Sequence, residues 1–282
     1  MNQSNIKVTP LSPAIGAELH GIDLSKPFSD SIFDEIRQCL HEHLLIIFRE
    51  QTLSPRKHRD FAARFFDLES HPFVESISGY PEIIAIVKEP NEHKNWGGPW
   101  HADVTFKEAP SIGAALYACE VPPCGGDTLF ANMYLAYETL SDGLKRALQP
   151  LRAVHYSGDP GIFHTDFKGM RPKSARAENA THPVVRTHPI SGRKSLFVNR
   201  MYTRHFEGMT EEESRPLLEM LCDHAQRPEF TCRLHWCNGT LALWDNRVTL
   251  HHAMDDDFNA MRTGQGFRRV MHRATLAGER PV

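Results

Sequence analysis

A chain of 282 residues, 40% hydrophobic and 24% charged, has the make-up of a globular protein with room for a sizeable core. Its formal charge of −3, with both signs intermixed, excludes the clustered basic excess of a nucleic-acid binder, and no apolar run approaches the length of a membrane span. Met1 to Asn5 show no basic and apolar leader pattern, and the six cysteines form no C-x-x-C pair. A reduced, cytoplasmic protein is therefore expected, with neither nucleic acid nor membrane as a partner.

Short strands are expected at 6–8 and 14–20. A helix follows from Ser29, with Ile32, Phe33, Ile36 and Leu40 at helical spacing. Leu44 to Phe48 is an apolar run suited to a buried strand. Ser54-Pro55 reads as an N-cap with proline in the first turn, and Phe61, Phe65 and Phe66 form the core face of that second helix. Further strands are expected at 83–87 and 112–121, the latter ending in P-P-C-G-G-D-T-L, whose prolines and glycines mark a tight turn. Ser141 caps a helix through Leu144, Ala147 and Leu148. The stretch 159–179, rich in Gly, Pro, Lys and Arg and without a period, reads as a lid over a substrate. Strands at 184–186 and 195–198 come next. The capping box Thr210 to Glu213 then opens a helix with Leu217, Leu218 and Leu221 on one face. Strands return at 230–236, 241–244 and 267–276. With no internal repeat, low-complexity tract or clean boundary, the pattern predicts one β-rich domain over 1–282, a sandwich or a barrel-like jelly roll.

The segment from Gly97 to Phe106 carries the first chemical signal. It reads as extended, and alternation would send His101 and Asp103 to one face. One nitrogen and one oxygen ligand there, joined by a distant histidine, make the 2-His-1-carboxylate triad that suits Fe(II). H-x-D alone is weak, and a solvated loop pair is the alternative. The stretch Trp244 to Ala253 offers His251 and His252 as the distant ligand. Arg269 and Arg273, four apart on an expected strand, share a face by parity.

Four motifs now stand in order: W-H-x-D-x-T-F, P-P-x-G-G-D-T-L, W-D-N-R-x-T-x-H and R-R-x-M-H-R-A-T, preceded by G-A-E-L-H-G-I-D-L. Together they resemble the taurine/2,4-dichlorophenoxyacetate (TauD/TfdA) dioxygenase family over nearly the whole chain. The resemblance implies a mainly β fold with flanking helices around a double-stranded β-helix (jelly roll) core, and an Fe(II)- and 2-oxoglutarate-dependent dioxygenase. Such an enzyme hydroxylates a small organic anion (a sulfonate, alkyl sulfate or aryloxyalkanoate) while O2 and 2-oxoglutarate are consumed to give succinate and CO2. It assigns His101, Asp103 and His251 to iron, and Thr128 and Arg269 to the far carboxylate of 2-oxoglutarate. Arg273 and His71 go to the substrate, with Tyr202 an aromatic of its pocket. Arginine suits both carboxylate and sulfonate because its planar fork binds two oxygens and stays charged. Val74 and Gly97 stand where taurine-using members carry polar contacts, so taurine itself is not the expected substrate and the pocket entrance is expected to be wider.

The stretch 255–266 lengthens the usual interval between His251 and Arg269. Its aspartates read as a solvated loop, and Arg262 within it is a rival to Arg269. A homodimer or homotetramer is implied by the resemblance. The alternatives are a family hydroxylase of an amino-acid-like carboxylate and, more distantly, a zinc hydrolase or a non-catalytic binding module.

Overall fold

The computed structural model describes residues 6–70, 74–92, 97–158, 177–256 and 266–282. Strands β1 (Lys7–Pro10) and β2 (Ala17–His20) pair antiparallel. Helix α1 (Asp30–His43) starts where Ser29 accepts the Ile32 N–H, and it buries Phe33, Ile36 and Leu40. Strand β3 (Leu45–Phe48) is buried throughout. Helix α2 (Pro55–Ala62), capped by Ser54, is shorter than its aromatic spacing suggests: Phe61 is buried on the helix, but Phe66 lies beyond its end and is 43% exposed.

Strands β4 (Leu68–Glu69), β5 (Ser76–Ile77), β6 (Tyr80–Lys88), β7 (Ser111–Glu120) and β8 (Thr128–Asn132) follow. Asn132 closes β8 and at once caps helix α3 (Met133–Glu138), a six-residue helix too short to show a period in the sequence. Next come helix α4 (Asp142–Leu148), capped by Ser141, and strand β9 (Arg152–Tyr156). Most of the expected lid, 159–176, lies outside the described residues, and its end point, Asn179, already belongs to strand β10 (Asn179–Pro183). After β11 (Val185–Thr187), β12 (Lys194–Leu196) and β13 (Thr203–Phe206), helix α5 (Glu211–Ala225) makes both halves of the Thr210–Glu213 capping box. The chain closes with β14 (Thr231–Leu234), β15 (Leu241–Asp245), β16 (Thr249–Ala253) and β17 (Arg269–Gly278).

The large sheet runs β1-β2-β3-β15-β7-β17-β6-β5, with β4 beside β17, and a smaller sheet runs β14-β8-β16. Alternation sorts the large sheet's side chains onto two faces. Ile46, Phe48, Ala115, Tyr117, Leu243 and Ala274 pack against Ile36 and Leu40 of α1 and Phe61 of α2. Leu45, Ile47, Ala114, Leu116, Trp244 and Met271 instead join Phe130, Cys232 and Leu234 from the smaller sheet. The two sheets thus face one another across a shared core, the expected jelly roll. Arg269 and Arg273 have the parity of Met271, so both enter the space between the sheets, whereas His272 turns outward. Among the described residues no helix is long and apolar enough to cross a membrane.

Candidate metal centre and cosubstrate cavity

His251 lies on β16, and His101 pairs with it as an isolated bridge: each backbone N–H donates to the other's carbonyl, at 3.0 and 2.8 Å. This exchange sets the two imidazoles side by side, with ring centroids 4.2 Å apart. Asp103 does not reach them by strand alternation, as the extended reading of 97–106 expects. Residues 103–106 form a turn in which Val104 adopts a φ of 47°, a conformation β-branched residues rarely take. The turn is held from outside the site. Thr105 Oγ1 meets His155 Nδ1 at 2.9 Å and accepts from Asn199 Nδ2 at 3.2 Å, while the Thr105 carbonyl accepts from His182 Nε2 at 2.9 Å. Backbone strain kept in place by several partners is a feature of functional sites.

As a result His101 Nε2 and His251 Nε2 stand 3.8 and 3.7 Å from Asp103 Oδ1, and one donor atom from each residue lies within 4.8 Å of the others. All three side chains are buried. Burial pushes both imidazoles below their ordinary value, His251 well below it, so each is neutral at pH 7 and keeps a lone pair for a cation. Burial alone would raise the Asp103 carboxyl, but Arg273, His251 and His101 outweigh it and hold the group well under the usual carboxylate range. His101 Nδ1–H donates to the Pro99 carbonyl at 2.7 Å, which leaves Nε2 bare toward the centre. Two neutral imidazoles and one carboxylate on a common side fit Fe(II).

The other carboxylate oxygen is occupied. Asp103 Oδ2 accepts Asn246 Nδ2–H at 2.8 Å and forms an ion pair with Arg273 at 2.9 Å. Trp244 Nε1, which can only donate, bonds Asn246 Oδ1 at 2.8 Å and so decides which end of the amide meets Asp103. Asn246 stands in the W-D-N-R motif, but nothing local in the sequence gives it this role. Its neighbours lock the β15–β16 turn, since Asp245 accepts from Arg247 Nε at 2.8 Å and from His188 Nε2 at 3.1 Å. Asn246→Leu is expected to weaken Mn(II) or Fe(II) binding by about 10- to 100-fold, as loss of an outer partner of a metal ligand commonly does. Equilibrium dialysis would measure this, and unchanged affinity would remove Asn246 from the site.

A cavity between the sheets is lined by Gly97, His101, Thr128, His251, Arg269 and Arg273, with Ile86, Leu116, Phe130 and Trp244 as its apolar walls. Arg269 is 6% exposed, and its Nε has no partner among the described residues. Burial lowers its pKa to about 10, against the pull of Asp127 and Asp256, so it remains a cation at pH 7. A buried cation with an unfilled donor beside a cavity fits an anionic ligand. Gly126, at φ 71°, lies over its stem, where a Cβ would come 3.4 Å from Arg269 Cδ and Nε. Thr128, on the same wall, accepts Trp236 Nε1–H at 3.0 Å. Asp256, expected in a solvated loop, is instead drawn in: its side chain is 9% exposed and accepts from the Gly126 N–H at 2.5 Å and from Arg233 at 2.9 Å.

His101, Asp103, His251, Thr128, Arg269, Arg273 and Gly97 therefore converge. His252 turns away, bonded to the Gly98 carbonyl and stacked on Trp100 at 5.6 Å. Gly97 has a different reason from the one expected. At φ 85°, a Cβ on it would come 3.1 Å from His101 Cε1, so the glycine makes room for the metal histidine. Tyr202 stands edge-on to His101 at 6.1 Å and packs with Val104 and Phe106, and neither it nor the buried Val74 lines the cavity. His71 and the rival Arg262 lie outside the described residues.

Comparison with known proteins agrees with this geometry. An alpha-ketoglutarate-dependent sulfate ester dioxygenase of Pseudomonas putida is 32% identical over 98% of this chain and 91% of its own length. The alpha-ketoglutarate-dependent 2,4-dichlorophenoxyacetate dioxygenase of Cupriavidus pinatubonensis is also 32% identical, over 99% of this chain and all of its own (100%). A crystal structure of a taurine dioxygenase from Burkholderia xenovorans matches with a TM-score of 0.85 at 37% identity, covering 99% of this chain and 91% of the other. The model of the taurine catabolism dioxygenase TauD, TfdA family matches residues 7–275, and the chain belongs to that family of 2-oxoglutarate-dependent dioxygenases.

Proposed function

We propose that the protein hydroxylates a small organic anion with an apolar body, such as an alkyl sulfate, a sulfonate or an aryloxyalkanoate, while 2-oxoglutarate is converted to succinate and CO2. The observation that carries this reading is a His101–Asp103–His251 triad and two buried arginines facing one cavity. Fe(II) bound by the triad supplies O2 activation for oxidising a C–H bond. The chain's own residues do the placing. Arg269 and Thr128 hold the far carboxylate of 2-oxoglutarate, and Arg273 draws the substrate anion toward the metal side. In this reading Gly97 borders the substrate from the cavity wall and His71 by the family resemblance, while Tyr202 and Val74 stand outside the lining. Where the hydroxylated carbon bears a sulfate, sulfonate or aryloxy group, the product collapses to a carbonyl compound and releases it.

Two features favour an apolar body over taurine. Apart from Asp103 on the metal side, no carboxylate among the described residues stands at the cavity to receive a substrate ammonium, and its remaining walls are aliphatic and aromatic. The relatives named for a sulfate ester and for 2,4-dichlorophenoxyacetate also act on anions. One dioxygenase domain in the cytoplasm completes the reading, supported by the extent of the family match and by six free cysteines, which suit a reducing compartment.

The test is succinate release with Fe(II) and 2-oxoglutarate across alkyl sulfates, alkyl sulfonates, aryloxyacetates and taurine. Substrate-triggered release that favours the amine-free anions is expected. Arg273→Ala should raise the KM for the anion by roughly 30-fold or more, the loss typical of a buried charge pair, and by more than it weakens metal binding. Turnover of a zinc-loaded form without O2 or 2-oxoglutarate would overturn the proposal.

A further inference from the structure

The strongest unassigned feature of the site lies behind its wall. Trp236 is 1% exposed, just past the end of β14, and its Nε1–H donates to Thr128 Oγ1 at 3.0 Å. The register brings the two together, since Leu234 pairs with Thr128 across β14 and β8. An indole nitrogen is a donor only, so the sense of this bond is unambiguous. A threonine hydroxyl has one hydrogen and two lone pairs. With one lone pair taken by the indole, the remaining choice is where the hydrogen points. Among the described residues no acceptor takes it, and Thr128 lines the cavity beside Arg269.

We infer that Trp236 is a positioning residue for the cosubstrate: it commits the Thr128 hydroxyl to act as a donor into the cavity, toward the carboxylate that Arg269 holds. The inference rests on the assignment of Thr128 and Arg269 to 2-oxoglutarate made above. Its physical content is preorganisation. A free hydroxyl rotates and can be satisfied by water or a nearby carbonyl, and its ordering must then be supplied when the ligand binds. A hydroxyl already accepting from a buried indole presents its hydrogen in advance, and it does so only for a ligand with an acceptor at that end.

The test compares two ligands in the Mn(II)-loaded protein by calorimetry, without turnover. N-oxalylglycine carries the far carboxylate, and 2-oxobutanoate does not. Trp236→Phe, which keeps an aromatic ring in place, is expected to raise the Kd for N-oxalylglycine about 3- to 10-fold, the worth of one hydrogen bond, and to leave that for 2-oxobutanoate unchanged. In a Thr128→Val background, Trp236→Phe should cause no further loss. Equal weakening of both ligands, or two losses that multiply, would overturn the inference, because the indole would then act through packing or independently of Thr128. If Thr128→Val alone leaves N-oxalylglycine binding intact, the assignment of Thr128 fails, and that is a distinct result. A measurement on the unaltered tryptophan guards against a poorly folding variant. The four tryptophans give four indole N–H resonances, and in the Zn(II) form the one displaced by Thr128→Val is expected to move when N-oxalylglycine is added to the parent protein. A resonance indifferent to the ligand would overturn the proposal.

Discussion

Asp103→Ala is expected to abolish both metal binding and 2-oxoglutarate decarboxylation. Affinity for Fe(II) or Mn(II) should fall by more than the roughly 10- to 100-fold lost with an outer partner, because Asp103 supplies the only anionic donor of the triad. It also stands 3.7–3.8 Å from both histidine Nε2 atoms, so its Oδ1 closes the face on which a cation would sit. The change has a second consequence. Arg273 forms an ion pair with Asp103 at 2.9 Å, and without the carboxylate the buried guanidinium beside two imidazoles loses that counter-charge. The cavity would then favour an added anion over a cation. Metal content after dialysis and succinate release measure the two effects, and a variant that keeps its iron and its turnover would show that Asp103 is not a ligand.

Arg269→Leu is expected to raise the KM for 2-oxoglutarate by roughly 30-fold to several-thousand-fold, the 2–5 kcal/mol cost typical of removing one partner of a buried charged pair. Its effect on the folded protein without cosubstrate should run the other way. Arg269 is buried, its Nε is unmatched, and burial already lowers its pKa to about 10. A leucine removes that desolvation penalty, so Tm should hold or rise. Lost cosubstrate affinity with undiminished stability marks a residue kept for a ligand. The same experiment decides between the two candidate arginines. If Arg269→Leu leaves the KM unchanged and Arg262→Ala raises it, the cosubstrate role belongs to the 255–266 stretch.

Much of this site was open to inspection in the chain itself, and the parts that were share a property. Capping residues Ser29, Ser54, Ser141 and Thr210 act on backbone groups within three residues, so a local pattern suffices to place each helix start. The common facing of Arg269 and Arg273 follows from strand parity alone. His252 turns away by the same alternation, being the neighbour of His251 on β16. Helix α3 escaped because its cap, Asn132, also ends a strand, and six residues are too few for a helical period. The core face assigned to α2 failed at Phe66 because the helix ends four residues earlier, at Ala62.

The motif order determined the family, the donor types and the phase of the two arginines, all of them properties of residue identity and short spacing. Only the tertiary structure decided how Asp103 reaches the metal side: by a strained turn at Val104, held through Thr105 by His155, His182 and Asn199, not by strand alternation. It alone drew Asp256 against Gly126, gave Gly97 its place beside His101, and linked Asn246 to Asp103 and Trp236 to Thr128 across 143 and 108 positions of chain. Spacing along a strand or helix fixes only which neighbours share a face. Which buried donor meets which buried acceptor depends on how the two sheets close on one another, and that closure brings together residues no local pattern connects.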